Sequence, residues 1–172
     1  MINKSINSYT LTVNELKQHL NIDIDYIDDD TYLQSLIEVA TQHVSNLINS
    51  DIELTTNQGV STDKDNLNGI FYTSPFVSIS SLIVDGNNIS TSGLSINEYY
   101  SHFEIEDIEA IESIEIEFIT GYNTLPTPLR HAIIIYASDL YDTLRNDTVA
   151  GVGITTTKVV EALTAAYKRK YW

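Results

Sequence analysis

The sequence predicts an α+β fold that is mainly α: a bundle of about four helices with a small antiparallel β-element inserted in the middle. Apolar residues recur at helical spacing in residues 11–49 and 126–167, which predicts a helical core. Residues 52–120 are rich in Ile, Val, Thr, Ser and Tyr with glycines between them, which predicts a β-rich insertion. At 172 residues the chain has the length of one ordinary domain, predicted to span residues 1–172.

The first helix is predicted to begin directly after Thr12. Thr12 and Glu15 have the spacing of a capping box, in which the Thr hydroxyl accepts from the Glu amide and the Glu carboxylate accepts from the Thr amide. An acidic linker, residues 23–30, precedes a second helix at about 31–49. That helix carries its apolar residues on one face, and negative charge just ahead of it favours its N-terminus.

Strands are predicted at residues 76–84 and 114–119, and a turn at 85–88. In the second strand glutamates alternate strictly with Ile, Ile and Phe, so one face is polar and the other apolar. Thr127 and the following proline predict the start of a helix to about residue 145, and after a loop a last helix is predicted at 157–167.

The chain is strongly acidic, with a formal net charge of -15 and nine basic residues. A surface this negative repels nucleic acid, because phosphate binding needs concentrated Lys and Arg. Four of the nine cations nevertheless lie in the last segment, where only Glu161 opposes them: Lys158, Lys168, Arg169 and Lys170.

We predict a C-terminal docking tail at residues 159–172. Its end alternates aromatic and basic side chains: Tyr167, Lys168, Arg169, Lys170, Tyr171 and Trp172. One interpretation is a frayed helix end with cations near its C-terminal dipole. Docking is favoured, because Trp, Tyr and Arg dominate interface hot spots and a terminal Trp exposes a large apolar surface. Stacking on nucleic-acid bases is a third interpretation, weakened by the acidity of the rest of the chain.

A second run of acids lies in the predicted β-rich region: Glu104, Glu106, Asp107, Glu109 and Glu112. Isoleucines interleaved with these acids favour ordinary elements with one solvated face, and a cation site or a mimic of DNA phosphates are the alternatives. The clustered carboxylates of the acidic linker also suggest a calcium-binding site. Counted from Asp23, however, the sixth and twelfth positions hold Asp28 and Gln34 instead of the Gly and Glu of an EF-hand loop.

No pattern in the sequence supports catalysis. Cysteine is absent, the histidines lack the spacing of paired ligands on one helix, and neither a nucleophile motif nor a phosphate-binding glycine loop occurs. The sequence therefore predicts no enzyme, no catalytic residue, no metal and no cofactor. It also predicts no signal peptide and no membrane partner, since no apolar stretch approaches the roughly 20 residues that span a bilayer.

Three stretches, residues 11–22, 33–40 and 116–133, carry a resemblance in their order and spacing. The sequence resembles the head-tail connector (adaptor) proteins of tailed bacteriophages, of the lambda-like, portal-docking type. The resemblance assigns structural roles to Leu16, Leu20, Gly121, Tyr122, Pro126, Leu129 and Arg130. The loop at 146–156 and the Tyr-Trp ending depart from the family pattern.

The resemblance implies a virion protein at the head-tail junction, assembled in the bacterial host cytoplasm. It implies a homo-oligomeric ring, typically of twelve copies, between the portal protein and a stopper or tail-completion protein. Such a ring extends the DNA channel and lets double-stranded DNA pass without sequence-specific contact. The C-terminal segment, about 159–172 here, would reach the portal, and the acids of residues 104–112 would line the channel or a subunit interface.

The sequence leaves two alternative functions. An acidic interaction protein that mimics DNA and occupies a basic cleft would need acids spaced like phosphates on one face. A metal-dependent enzyme would need distant ligands to converge in the fold.

Overall fold

The computed structural model describes residues 2–6, 11–62, 70–71, 75–92, 94–99, 102–105, 112–145 and 153–169. The helices in these ranges are α1 (Val13–Leu20), α2 (Asp30–Ile48), α3 (Thr127–Arg145) and α4 (Gly153–Thr164), and a 3-10 turn, Ala165–Tyr167, follows α4. The strands are β1 (Ile2–Ile6), β2 (Thr55–Ser61), β3 (Ile70–Phe71), β4 (Phe76–Val84), β5 (Asn87–Asn88), β6 (Ile96–Tyr99), β7 (His102–Ile105) and β8 (Ile114–Thr120).

The chain forms two compact units. The strands lie in the first, made of the described residues of Met1–Ser8, Glu53–Asn123 and Arg169–Trp172, and the helices lie in the second, Tyr9–Ile52 and Thr124–Lys168. We call them the sheet unit and the helical unit. The single domain over residues 1–172 stays a prediction.

In the helical unit, α2 packs against α3, α3 against α4, and α1 contacts both α2 and α3. The buried apolar residues of α2 recur at helical spacing, as predicted: Leu33, Leu36, Ile37, Ala40, Val44 and Ile48. Both α1 and α2 end at an asparagine in the left-handed conformation, Asn21 and Asn49, a residue type that tolerates positive φ. These boundaries confirm the first two predicted helices to within a residue, and α3 confirms the third.

The sheet unit contains a five-stranded antiparallel sheet in the order β1-β2-β8-β4-β5 and a three-stranded sheet in the order β3-β7-β6. Strands β4 and β8 confirm the two predicted strands. Ile114, Ile116 and Phe118 of β8 are buried with Leu82 and Val84 of β4, whereas Glu115 is exposed. The alternation in the sequence therefore predicts the core face of this sheet correctly.

The β-structure is more extensive than predicted. Within the described residues, a five-stranded and a three-stranded sheet accompany the helices, so the fold is α+β but not a helical bundle with a small insert. The sheet also extends beyond the middle of the chain, because β1, at the N-terminus, pairs along its whole length with β2. Ile2–Ile6 is a polar edge strand, and its pairing with a distant partner leaves no local signal.

The predicted loop at 146–156 is wrong at its end, since α4 begins at Gly153 and extends through the following threonines. A glycine is permissive at a helix start, so its presence there did not mark a loop. Within the described residues, no helix combines the length and apolarity that crossing a lipid bilayer requires.

Candidate docking surfaces

The predicted capping box is present at the start of α1. The Glu15 amide donates to Thr12 Oγ1 at 3.3 Å, and the Thr12 amide donates to Glu15 Oε2 at 2.9 Å. The other carboxylate oxygen of Glu15 accepts from the Arg130 guanidinium of α3 in an ion pair. Leu16 and Leu129 are fully buried in the same helical unit. Arg130, assigned from the resemblance, thus joins α3 to α1, and its neighbour Leu129, also assigned from it, belongs to the buried core.

Opposing influences act on the pKa of Glu15. Partial burial raises it, but hydrogen bonds from Thr12 and the positive charge of Arg130 outweigh burial and hold the pKa below its ordinary value of 4.5. Ionised Glu15 is therefore the form that the folded helical unit favours.

Gly121, another residue assigned from the resemblance, lies at the end of β8 in the sheet unit. Its φ of 107° is a backbone conformation that favours glycine, and its amide donates to Pro75 O at 2.8 Å. A Cβ at this position would lie 2.2 Å from Glu53 O, so the close approach of two backbone segments requires glycine. Tyr122, Pro126 and Leu20 are half-buried, and their role in a connector stays a prediction.

Lys17 was missed by the sequence analysis. Its side chain is fully buried, its Nζ donates to Ile24 O at 3.1 Å, and Asp30 Oδ1 lies 2.5 Å from the same nitrogen. Lys17 therefore binds the acidic linker at both ends. The sequence does contain a pattern that indicates this burial. Val13, Leu16, Lys17 and Leu20 occupy the i, i+3, i+4 and i+7 positions of the apolar face of α1.

The acidic linker exposes apolar side chains. The exposed fractions are 45% for Ile24, 44% for Tyr26 and 69% for Ile27. The amides of Tyr26 and Asp30 donate to Asp23 O and Ile27 O, each at 3.1 Å, so consecutive turns fix the linker backbone. We refer to Ile24, Tyr26 and Ile27 as the linker tip.

An open groove of about 470 Å³ begins where the linker enters α2. The residues that line it are of polar types, and two of them are acidic: Asp30, Thr31, Gln34, Ser35 and Glu38. Within the part of the chain that the structure describes, no group of three or more His, Asp or Glu side chains has the arrangement of a metal site. Neither the linker nor the groove thus offers a clustered donor set for calcium.

The structure describes only part of the predicted docking tail. Residues 159–164 belong to α4, where Val160 and Thr164 are buried. Tyr167 and Arg169 are half-buried and Lys168 is exposed, while Lys170, Tyr171 and Trp172 lie outside the described residues. Portal contact by this tail stays a prediction.

On the outer face of α4 and the 3-10 turn, Val159 is 42% exposed and Ala162 and Ala166 are also exposed. These residues follow one another at i, i+3 and i+7, so they share one side of the helix. We refer to Val159, Ala162 and Ala166 as the α4 face. Lys158 and Lys168, both exposed, lie at its two ends.

The predicted acidic run is also only partly described. Glu104 lies in β7, Glu112 is exposed before β8, and Glu106, Asp107 and Glu109 lie outside the described residues. The Glu112 amide donates to Asp85 Oδ1 at 2.7 Å, which ties this segment to the β4-β5 turn. The assignment of these acids to a channel or a subunit interface stays a prediction.

His19, His43 and His131 lie on α1, α2 and α3. His19 and His131 are exposed, whereas His43 is half-buried. The ring of His43 stacks on Tyr136 of α3, with ring centroids 4.1 Å apart and planes at 6°. His43 therefore contributes to the contact between α2 and α3.

Comparison with known protein families confirms the resemblance found in the sequence. Residues 10–74 match the family of phage gp6-like head-tail connector proteins, a match that covers less than half of the chain. The matched segment contains the capping box, Lys17, the linker tip and α2. No curated protein matches the sequence.

Three solved structures with a similar fold come from gene transfer agent (GTA) particles. A chain of the structure described as "Neck of empty GTA particle computed with C6 symmetry" has a TM-score of 0.76 at 20% identity, covering 100% of this chain and 97% of that one. A chain of "Neck of native GTA particle computed with C12 symmetry" has a TM-score of 0.72 at 17% identity, with coverages of 100% and 97%. A chain of "Virion of native gene transfer agent (GTA) particle" has a TM-score of 0.68 at 18% identity, with coverages of 95% and 94%. At these identities the likeness establishes a shared fold.

Proposed function

We propose that this protein is a structural subunit of the neck of a tailed phage or phage-like particle, at the junction of head and tail. The observation that carries the proposal is the fold likeness to a GTA neck chain, which extends over 100% of this chain. The match of residues 10–74 to head-tail connector proteins supports the same role from sequence. The proposed role is structural rather than catalytic, since the matched family and fold are those of neck proteins.

The subunits are proposed to form a homo-oligomeric ring of twelve copies. The neck structures that this chain resembles were computed with sixfold and twelvefold symmetry. A ring arises when one surface of a subunit contacts a different surface of the next and the rotation closes. Repetition of a modest contact around such a ring gives a stable assembly.

The ring is proposed to extend the DNA channel, through which double-stranded DNA passes without sequence-specific contact. A formal net charge of -15 per subunit supports this, because an acidic wall does not hold phosphates. The acids Glu104, Glu106, Asp107, Glu109 and Glu112 are the proposed residues of the channel wall or of a subunit interface.

The proposed partners on the two sides of the ring are the portal protein and a stopper or tail-completion protein. Residues 167–172 are the proposed portal anchor, because α4 already holds residues 159–164 in the helical unit. Lys168 is exposed there, and Tyr171 and Trp172 supply side chains of the type that dominates interface hot spots.

Labelling of purified particles with an antibody against this protein tests the neck location. Electron microscopy should show label at the head-tail junction, and label confined to the capsid or the tail tip would contradict the proposal.

Size-exclusion chromatography with light scattering, on the purified portal mixed with this protein, tests the anchor. Co-elution is expected for the full chain and should be lost when residues 168–172 are removed. The matched control is Lys4→Gln, which removes an exposed cation in β1 and should leave co-elution unchanged. Unchanged binding of the truncated chain would refute the anchor.

A further inference from the structure

The linker tip exposes apolar side chains in the part of the chain that the structure describes. Single exposed apolar residues are common on protein surfaces, whereas contiguous ones mark interaction sites. Ile24, Tyr26 and Ile27 lie within four consecutive positions, and Ile27 is 69% exposed. Covering them with a partner would remove apolar surface from water, which is the main favourable contribution to association.

The linker tip is also held in place before any partner binds. The buried Lys17 fixes Ile24 O, and turns close at Tyr26 and at Asp30. A segment that is already ordered loses little conformational entropy on binding, so more of the contact free energy contributes to affinity. This arrangement is that of a preorganised projection rather than a mobile connection.

The charges around the linker tip restrict the chemistry of the surface that can cover it. Asp23, Asp25 and Asp28 are exposed and are interspersed in sequence with the three apolar residues. A surface that covers the linker tip should have an apolar centre and a basic rim. Basic residues at the rim attract the aspartates, whereas acidic residues there would repel them.

The α4 face has these properties. Val159, Ala162 and Ala166 form an exposed apolar strip whose small side chains permit close approach, and Lys158 and Lys168 flank it. Glu161 is also exposed on α4, but at one and two positions from Ala162 and Val159 it lies on a different side of the helix. Among the residues whose side chains the structure describes, the exposed cations are Lys4, Lys158 and Lys168. Two of these three therefore border the α4 face. Lys17 and Arg130 form ion pairs with Asp30 and Glu15 within the chain.

We infer that the linker tip of one copy docks on the α4 face of a second copy, and that this is the contact that repeats around the ring. The inference rests on the proposed function, which supplies the ring. The two surfaces belong to one chain and are different from each other, so their contact is heterologous and continues from copy to copy. The aspartates at the rim of one surface then face Lys158 and Lys168 of the next.

Disulfide trapping between two single-cysteine variants tests the contact, since the chain has no native cysteine. Ile27→Cys and Val159→Cys proteins, one carrying a mass tag, are mixed and oxidised. The mixed dimer is expected to form about tenfold faster than with a control pair, because docking raises the local thiol concentration. The control pair is Ile89→Cys with Val159→Cys, since Ile89 is an exposed apolar residue of the sheet unit. Equal rates for the two pairs overturn the inference.

Charge reversal adds an independent readout to the same trapping assay. Asp25→Lys with Asp28→Lys in the Ile27→Cys chain should slow trapping to the control rate, since cations would then face Lys158 and Lys168. Lys158→Glu with Lys168→Glu in the Val159→Cys chain should restore the fast rate with that partner. If trapping stays slow when both chains carry the reversed charges, the inference is overturned.

Failure of this contact and failure of the proposed function give different results. A protein that labels at the head-tail junction but shows equal trapping rates retains the proposed function without this interface. A protein absent from the neck fails the proposed function directly, whatever its trapping rates.

Discussion

At the scale of single residues, Gly121 is the position where the backbone tolerates a side chain least. A methyl group there would overlap Glu53 O, and the φ of 107° is itself unfavourable for alanine. We expect Gly121→Ala to lower the free energy of unfolding by about 2–4 kcal/mol, from backbone strain together with steric overlap. Urea denaturation followed by circular dichroism measures the change.

Gly86→Ala is the matched control for Gly121→Ala. Gly86 also has a positive φ, of 77°, but a Cβ there would meet nothing within 4 Å. Only the left-handed conformation is then unfavourable, and the expected loss is about 1–2 kcal/mol. Equal losses at the two glycines would contradict the importance of the Glu53 contact.

The second prediction at residue scale concerns pH. Because the pKa of folded Glu15 lies below its ordinary value of 4.5, ionised Glu15 stabilises the fold above that pH. This contribution is lost as the pH falls through the folded pKa. Glu15→Gln should therefore cost about 0.5–1 kcal/mol at neutral pH. In denaturation series at decreasing pH, the difference from the wild type should shrink below pH 4.5.

A double-mutant cycle with Arg130→Gln isolates the ion pair from the capping box. Arg130 is 33% exposed and Glu15 34%, so solvent weakens the pair. The double variant should lose less stability than the sum of the single losses, because the second substitution has no charged partner left to remove. Strict additivity at neutral pH would show that Thr12 alone lowers the pKa of Glu15.

At the scale of elements, Lys17 fastens the acidic linker to α1. Lys17→Met keeps most of the buried aliphatic volume but leaves Ile24 O without its donor and Asp30 without its cation. We expect a loss of about 1–3 kcal/mol, the usual result of leaving a buried polar group unpaired. Hydrogen exchange should also become faster at the amides of Tyr26 and Asp30, whose turns define the linker tip.

Lys168→Met is the control for Lys17→Met, since it removes an exposed lysine from the same helical unit. It should change neither the free energy of unfolding nor exchange in the linker. Unaltered exchange in the Lys17→Met protein would mean that the turns hold the linker without the lysine.

The elements that could be predicted from sequence are those whose pattern is local. The capping box marks the start of α1, and the alternation of β8 with its Ile and Phe face predicts a strand that the structure places in the sheet core. Strand β1 could not be predicted, because Ile2–Ile6 is stabilised by pairing with β2, far along the chain. Periodicity reports on an element's own faces and does not report its pairing partner.

In the candidate site, too, some features follow from a local sequence pattern and others depend on how the chain folds. The sequence indicated a helix-capping acidic linker, but exposure of Ile24 and Ile27 depends on how the folded helical unit leaves them uncovered. The position of Lys17 on the apolar face of α1 indicates that it is buried. Its charge indicates the opposite, because lysine is almost never fully buried unless it is paired. The C-terminal cations, in contrast, were evident from composition alone.

At the scale of the whole molecule, the formal net charge of -15 opposes the compact state through repulsion among like charges. The Debye length falls from about 30 Å at 0.01 M salt to about 8 Å at 0.15 M, so added salt removes most of this repulsion between distant acids. We expect the Tm of the isolated protein to rise by several degrees as NaCl increases over this range at pH 7, measured by differential scanning calorimetry. The same series near the sequence pI of 4.3 is the control, because there the net charge is small and the rise should disappear. A Tm that falls with salt at pH 7 would mean that attractive pairs such as Glu15 with Arg130 outweigh the overall repulsion.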